Sequence, residues 1–249
     1  MDNQVVTAAA VTAGAIFGAI SLIKAFSKDE KIRVISNQAD CRRGLKEIWE
    51  HCRDYPVIGF DCEWTNMGNQ RQPVVLLQLQ SYHGLCLLIR LPYVGILEEL
   101  QELLENERIL KVGVGVDLDA KYLFEDYRVH VRSTLDLRYM AVLAKCEPGK
   151  LIKMSEDCLK FKLCKEYAYS DWDASNLSEK AIEYAAKDVH AAIELFKYFE
   201  ERIYDGWMLR TSRERVKYVI DRFCSKFLNL YYNGAQGVPH ALIRQRLSN

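Results

Sequence analysis

The spacing of apolar residues along the chain alternates between two periods, and the alternation outlines the elements. From Gln38 to Cys52 the apolar residues Leu45, Ile48 and Trp49 recur at helical intervals, which predicts an amphipathic helix. Val57 to Trp64 (VIGFDCEW) follows Pro56 as a buried strand. Pro73–Tyr82 and Leu85–Leu91 read as two more strands, joined through His83-Gly84 as a hairpin. Val94 to Asn106 has apolar residues at Ile96, Leu97, Leu100, Leu103 and Leu104, again helical. Ile109–Val116 is a fourth strand, Asp117–Tyr127 a helix, and Val129–Leu137 a fifth strand. From Arg138 to about Glu201 the pattern is mostly helical. Three strands, then strand–helix–strand, then helices indicate an α/β fold, a mixed sheet covered by helices.

The two ends have a different character. Residues Asn3 to Ile23 carry no charge, and Val5–Ile23 is just long enough to cross about 30 Å of hydrocarbon as a helix. Lys24, Lys28, Lys31 and Arg33 follow it, so the positive-inside rule puts the rest of the chain in the cytosol. A secretory signal wants positive charge before the run, where only Asp2 stands. Residues 1–27 are therefore expected to be an N-terminal membrane anchor, and Gly14 and Gly18 offer a spacing at which two such helices pack, a route to a homodimer. Lys28 to Arg33 reads as a charged linker.

Composition adds little until it is divided. The chain of 249 residues has 34 Lys+Arg against 34 Asp+Glu, so net charge says nothing of a polyanionic partner. From Trp207 to Asn249, however, eight basic residues face only Glu214 and Asp221. Residues 204–249 thus form a basic tail, in which Val216, Val219, Ile220, Phe223, Phe227 and Leu230 follow helical spacing. Lys217, Arg222 and Lys226 fall toward the other face, where they are candidate phosphate contacts. None of the eight cysteines is paired at C-x-x-C spacing, and no Cys/His cluster resembles a zinc site, which favours reduced thiols.

Three acidic elements carry the chemistry. Asp61 and Glu63 lie two apart on a strand, so they share a face at the end of an apolar run. Two carboxylates there repel and lose hydration, a cost that hard divalent cations such as Mg²⁺ or Mn²⁺ remove. The strand Ile109–Val116 runs into Asp117-Leu118-Asp119; one aspartate could cap the next helix and the other face the site. Gly113-x-Gly115 does not complete a dinucleotide fingerprint, because position 118 is Leu, which counts against a nucleotide-binding oxidoreductase. Tyr184 and Asp188 stand at i and i+4 of a helix from Leu177 to Phe199, with Ser178 as its N-cap. His190 and Asp136 read as structural.

The order D-x-E, D-x3-L (Asp119 to Leu123) and Y-x3-D resembles the DEDDy exonucleases, the group that holds ribonuclease D and the Werner-type exonuclease domain. The resemblance runs from about Val34 to Phe199. It implies a ribonuclease H-like fold, a five-stranded mixed sheet with helices on both faces, and makes residues 28–203 a 3′–5′ exonuclease domain. It also implies two cations: Asp61 bridging them, Glu63 and Asp188 completing the first, Asp119 holding the second through water, and Tyr184 orienting the attacking water. Trp64 becomes a candidate stacking face for the terminal base, against a core role. The substrate is then 3′-ended DNA or RNA, since no motif here reads a 2′-hydroxyl. The rival class is a membrane-anchored docking module without catalysis. For an anchored member the resemblance implies the mitochondrial outer membrane, with the endoplasmic reticulum as the alternative. Larger members continue past this domain, so any activity housed in such an extension is not expected here.

Overall fold

The computed structural model describes residues 31–163, 166–168, 170–203, 211 and 214. The segment expected to be a membrane anchor, and Lys217, Arg222 and Lys226 of the basic tail, lie outside these residues. Among the described residues no helix is long and apolar enough to cross a membrane.

The elements run β1 (Ile32–Ile35), α1 (Gln38–Asp54), β2 (Val57–Met67), β3 (Gln70–Ser81), β4 (Cys86–Arg90), α2 (Leu91–Val94), α3 (Glu98–Glu105) and β5 (Leu110–Gly113). They continue with α4 (Val116–Tyr127), β6 (Thr134–Asp136), α5 (Leu137–Leu143), α6 (Leu151–Met154), a π-helical turn (Ser155–Leu159) and α7 (Glu179–Ile203). The sheet has six strands in the order β1-β4-β3-β2-β5-β6. β2, β3 and β4 are antiparallel neighbours, whereas β1 joins β4, β5 joins β2 and β6 joins β5 in parallel. The sheet is mixed, as expected.

Its sixth strand corrects the expected five. Ile32–Ile35 overlaps the end of the segment Lys28 to Arg33, where the charge pattern suggested a linker. This strand is short, carries Arg33 in its middle and sits at the sheet edge, so Ile32 and Val34 remain exposed and only Ile35 is buried. What makes it a strand is pairing with β4, more than 50 residues away, which no local period reveals. The guanidinium of Arg33 forms a two-pronged ion pair with Glu47 of α1, at 2.7 and 2.8 Å. Two other expectations are trimmed. Only Thr134–Asp136 of the fifth expected strand is paired, although Val129 and Val131 are buried. Among the described residues from Lys160 to Ser178 none is helical.

Alternation along the strands feeds two apolar layers. On one face Phe60, Cys62, Leu77, Leu79, Leu87 and Ile89 meet α1, α3 and α4 through Leu45, Ile48, Leu103 and Leu123. On the other face Leu76, Cys86 and Leu88 meet α7 through Ala181, Ala185 and Val189, with Trp172 beside them. Helices thus cover both faces. The alanines of α7 let that helix lie close to the sheet, and Gly59 of β2 lets it lie closer still. A Cβ on Gly59 would stand 2.7 Å from the Val189 carbonyl oxygen. Gly113 of β5 is constrained in the same way, with a Cβ there falling 2.6 Å from the Phe60 oxygen.

Candidate active site

The closeness of α7 to β2 brings three acids together. Asp61 and Glu63 project from the middle of β2, and Asp188 comes from α7 one residue before the Val189 that touches Gly59. Asp61, Glu63 and Asp188 each offer a carboxylate oxygen, and these oxygens lie within 4.8 Å of one another. The register of β2 on β3 shifts between Glu63 and Trp64 and again before Asn66. Such irregularities re-aim side chains at the end of a ladder.

Asp119 enters from the other helix layer, in the first turn of α4, and is buried. Burial first, then the charges of Asp61 and Glu63, push its carboxyl well above the ordinary range. Asp117, two residues earlier, is raised by burial and by Asp136, and is drawn down by Arg138. The two aspartates therefore differ in surroundings: Asp119 is buried and feels Asp61 and Glu63, while Asp117 is half-buried and feels Asp136 and Arg138. Neither supplies a cap to α4. Its N-cap is Gly115, whose N–H donates to the Asp136 carboxylate at 2.8 Å. Asp136 also accepts from the Arg138 backbone and guanidinium, a structural role as expected.

Tyr184 stands one helical turn before Asp188, close enough for the phenol to draw that carboxyl downward against the effect of burial. Burial and the neighbouring acids push the phenol up, so it remains a donor. Its ring lies 6.1 Å from Trp172, a buried indole. Beside it opens a small, open cleft lined by Leu163, Tyr167, Lys180, Glu183, Tyr184 and Lys187.

Burial raises the carboxyls of Asp61, Glu63 and Asp188 as well, with Asp188 acting on the first and Asp61 on the second. Among the described residues, no Lys, Arg or His is among the leading influences on these four acids. Three carboxyls at oxygen-to-oxygen distances that one ion can span, with the buried Asp119 acting on and acted on by the same acids, fit hard divalent cations.

Trp64 is half-buried: it packs against the first core layer, edge-to-face on Tyr122 at 4.8 Å. Cys41, Cys52, Cys62, Cys86, Cys146 and Cys158 are free thiols. Two features escaped the sequence reading. Gly59 could have been found as a glycine inside an apolar strand, where close backbone approach is the usual reason. The other is Gln78, which falls in a leucine-rich strand.

Comparison with known proteins adds an independent line. Residues 37–204 match the 3′–5′ exonuclease family. A Drosophila melanogaster protein, exonuclease 3′-5′ domain-containing protein 2, is 44% identical over 156 residues, 61% of this chain and 27% of its own length. The Mus musculus protein of the same name is 34% identical over 231 residues, 82% of this chain and 35% of its own. A crystal structure of the EXD2 exonuclease domain soaked in Mn is 33% identical with a TM-score of 0.44, covering 77% of this chain and 98% of that one. The chain thus spans about a third of the length of the curated relatives it matches.

Proposed function

Because the chain belongs to the 3′–5′ exonuclease family, we propose that it removes nucleotides from the 3′ end of nucleic acid by hydrolysis, with two divalent cations held by Asp61, Glu63, Asp119 and Asp188. The observation that carries this reading is the trio of carboxylate oxygens within 4.8 Å of one another, flanked by Asp119. Asp61 would serve both cations, Glu63 and Asp188 would complete the first, and Asp119 would hold the second. When bound, Mg²⁺ or Mn²⁺ supplies a water of lowered pKa and stabilises charge on the departing 3′ oxygen. The protein's own part is to hold and exclude. Tyr184 keeps its proton, is tied to Asp188, and orients the attacking water from that position. The covering of the acids by α7 and α4 limits bulk water around them, so each charge contact acts in a lower dielectric. Lys180 and Lys187 line the adjoining cleft, which supports the approach of a phosphate-bearing strand past Tyr184. No covalent intermediate is required.

The test uses the full chain on matched 5′-labelled RNA and DNA strands. With Mn²⁺ or Mg²⁺ the label should pass into a ladder of progressively shorter products, and EDTA should stop the ladder completely. Undiminished hydrolysis in EDTA would remove the cation-dependent reading. Comparison of the two strands identifies the preferred sugar.

Membrane attachment is a separate proposal, supported by the uncharged run from Val5 to Ile23 and the positive residues after it. It puts the catalytic residues on the cytosolic side of a mitochondrial outer or endoplasmic reticulum membrane. Deleting residues 1–27 should move the protein from the membrane pellet to the supernatant with nuclease activity intact. A truncated protein that still pellets would transfer the attachment to another surface.

A further inference from the structure

β3 places one side chain in the cluster that the chemistry so far does not use. Gln78 is the cross-strand partner of Asp61 on one side and of Leu88 on the other. Directly opposed residues of an antiparallel pair share a face, so Gln78 lies on the acid-bearing side of the sheet. Its neighbours Leu77 and Leu79 point to the other layer. Gln78 is 0% exposed, and both its Nε2 and its Oε1 are without a hydrogen-bond partner.

That is an unusual state for an amide. Burying an unpaired donor and an unpaired acceptor together costs the hydration of both, and a leucine would avoid it. Gln80, two residues on and on the same face, shows the ordinary solution: its Nε2 meets His190 Nδ1 at 3.0 Å. Gln78 has no such companion among the described residues. Directly opposite it on that face is Asp61, and Glu63, two residues along β2, is its diagonal neighbour, within reach of a long side chain. Glu63 needs a fixed orientation if it is to present an oxygen toward Asp61 and Asp188.

We propose that Gln78 is a positioning residue, whose Nε2–H donates to Glu63 and holds that carboxylate at the angle a divalent cation requires. The proposal rests on the two-cation reading above. The unpaired amide is then a partner kept ready for the charged, cation-bound cluster. Partners of this kind orient ligands that would otherwise rotate, and their loss weakens metal binding without removing a ligand.

The experiment titrates Mn²⁺ by calorimetry into the full chain, as wild type, Gln78→Met and Gln78→Asn, with melting temperatures recorded in EDTA. Met keeps the length and removes the donor; Asn keeps the amide and withdraws it. Both variants should bind Mn²⁺ about tenfold or more weakly than wild type. The cation-free melting temperature of Gln78→Met should stay level or rise, because an unpaired buried amide is gone. A merely structural glutamine would give the opposite pair of results, a lower melting temperature with Mn²⁺ affinity within about twofold of wild type, and would overturn the proposal. If Gln78→Met fails to fold, Gln78→Asn decides it: wild-type affinity in that variant overturns the role. Wild-type protein that binds no Mn²⁺ overturns the cation reading itself, and the role of Gln78 with it.

Discussion

Asp61→Asn should eliminate hydrolysis and yield a protein more stable than wild type in the absence of divalent ions. The first result follows from position. Asp61 is the acid that both Glu63 and Asp119 feel, and its own carboxyl is raised by Asp188 after burial. In the arrangement proposed above, Asp61 is the acid that both cations would share. Loss should exceed the roughly hundredfold that removing an outer partner of a metal ligand costs. The second result follows from charge. In the cation-free protein, burial and Asp188 hold the Asp61 carboxyl above its ordinary range. A carboxyl raised on folding keeps its proton at pH values where the unfolded chain has lost it. Wild-type stability therefore falls as pH climbs from about 4, the unfolded value, through the raised folded value. Asn has no such loss, so its advantage is small near pH 4 and grows toward neutrality. Product ladders in Mn²⁺ and melting temperatures in EDTA from about pH 4 to 8 measure both halves. A fully active Asp61→Asn enzyme would mean the site lies elsewhere.

Asp119→Asn and Asp117→Asn should part by orders of magnitude. Both are aspartates of the same helical turn, both feel burial, and a sequence reader can exchange them easily. Only Asp119 is acted on by Asp61 and Glu63, whereas Asp117 is acted on by Asp136 and Arg138. Asp119→Asn removes the acid assigned to the second cation and should lower single-turnover cleavage by at least about a hundredfold. Asp117→Asn relieves a like-charge contact with Asp136 and should leave cleavage within a few-fold of wild type. Rates at saturating substrate and Mn²⁺ decide it. A more severe defect in Asp117→Asn would move the second acid by two residues and undo the assignment of Asp119.

Legibility differed along the chain for physical reasons. β2, β3, β4 and α7 were visible because their periods are long and unbroken, and because each presents one apolar face to a layer. The pairing of Asp61 with Glu63 and of Tyr184 with Asp188 was visible too, since i, i+2 on a strand and i, i+4 on a helix are local rules. β1 was not visible. Its four residues have meaning only beside β4, and half of them remain exposed there. Trp64 was read both ways because a strand residue next to two acids looks the same in sequence whichever face it takes.

The sequence by itself determined the composition of the site: which acids, on which kind of element, at which spacing, and with which tyrosine. These are short-range properties, carried by backbone periodicity within one element. Only the tertiary structure decided how those elements meet. The missing side chain at Gly59 lets α7 approach β2 until Asp188 comes within reach of Asp61 and Glu63. The turn after β5 directs Asp119 inward and leaves Asp117 to Arg138. Register between β2 and β3 sets Gln78 opposite Asp61. Each of these is a contact between residues far apart in the chain, fixed by packing and hydrogen-bond register that no single segment encodes.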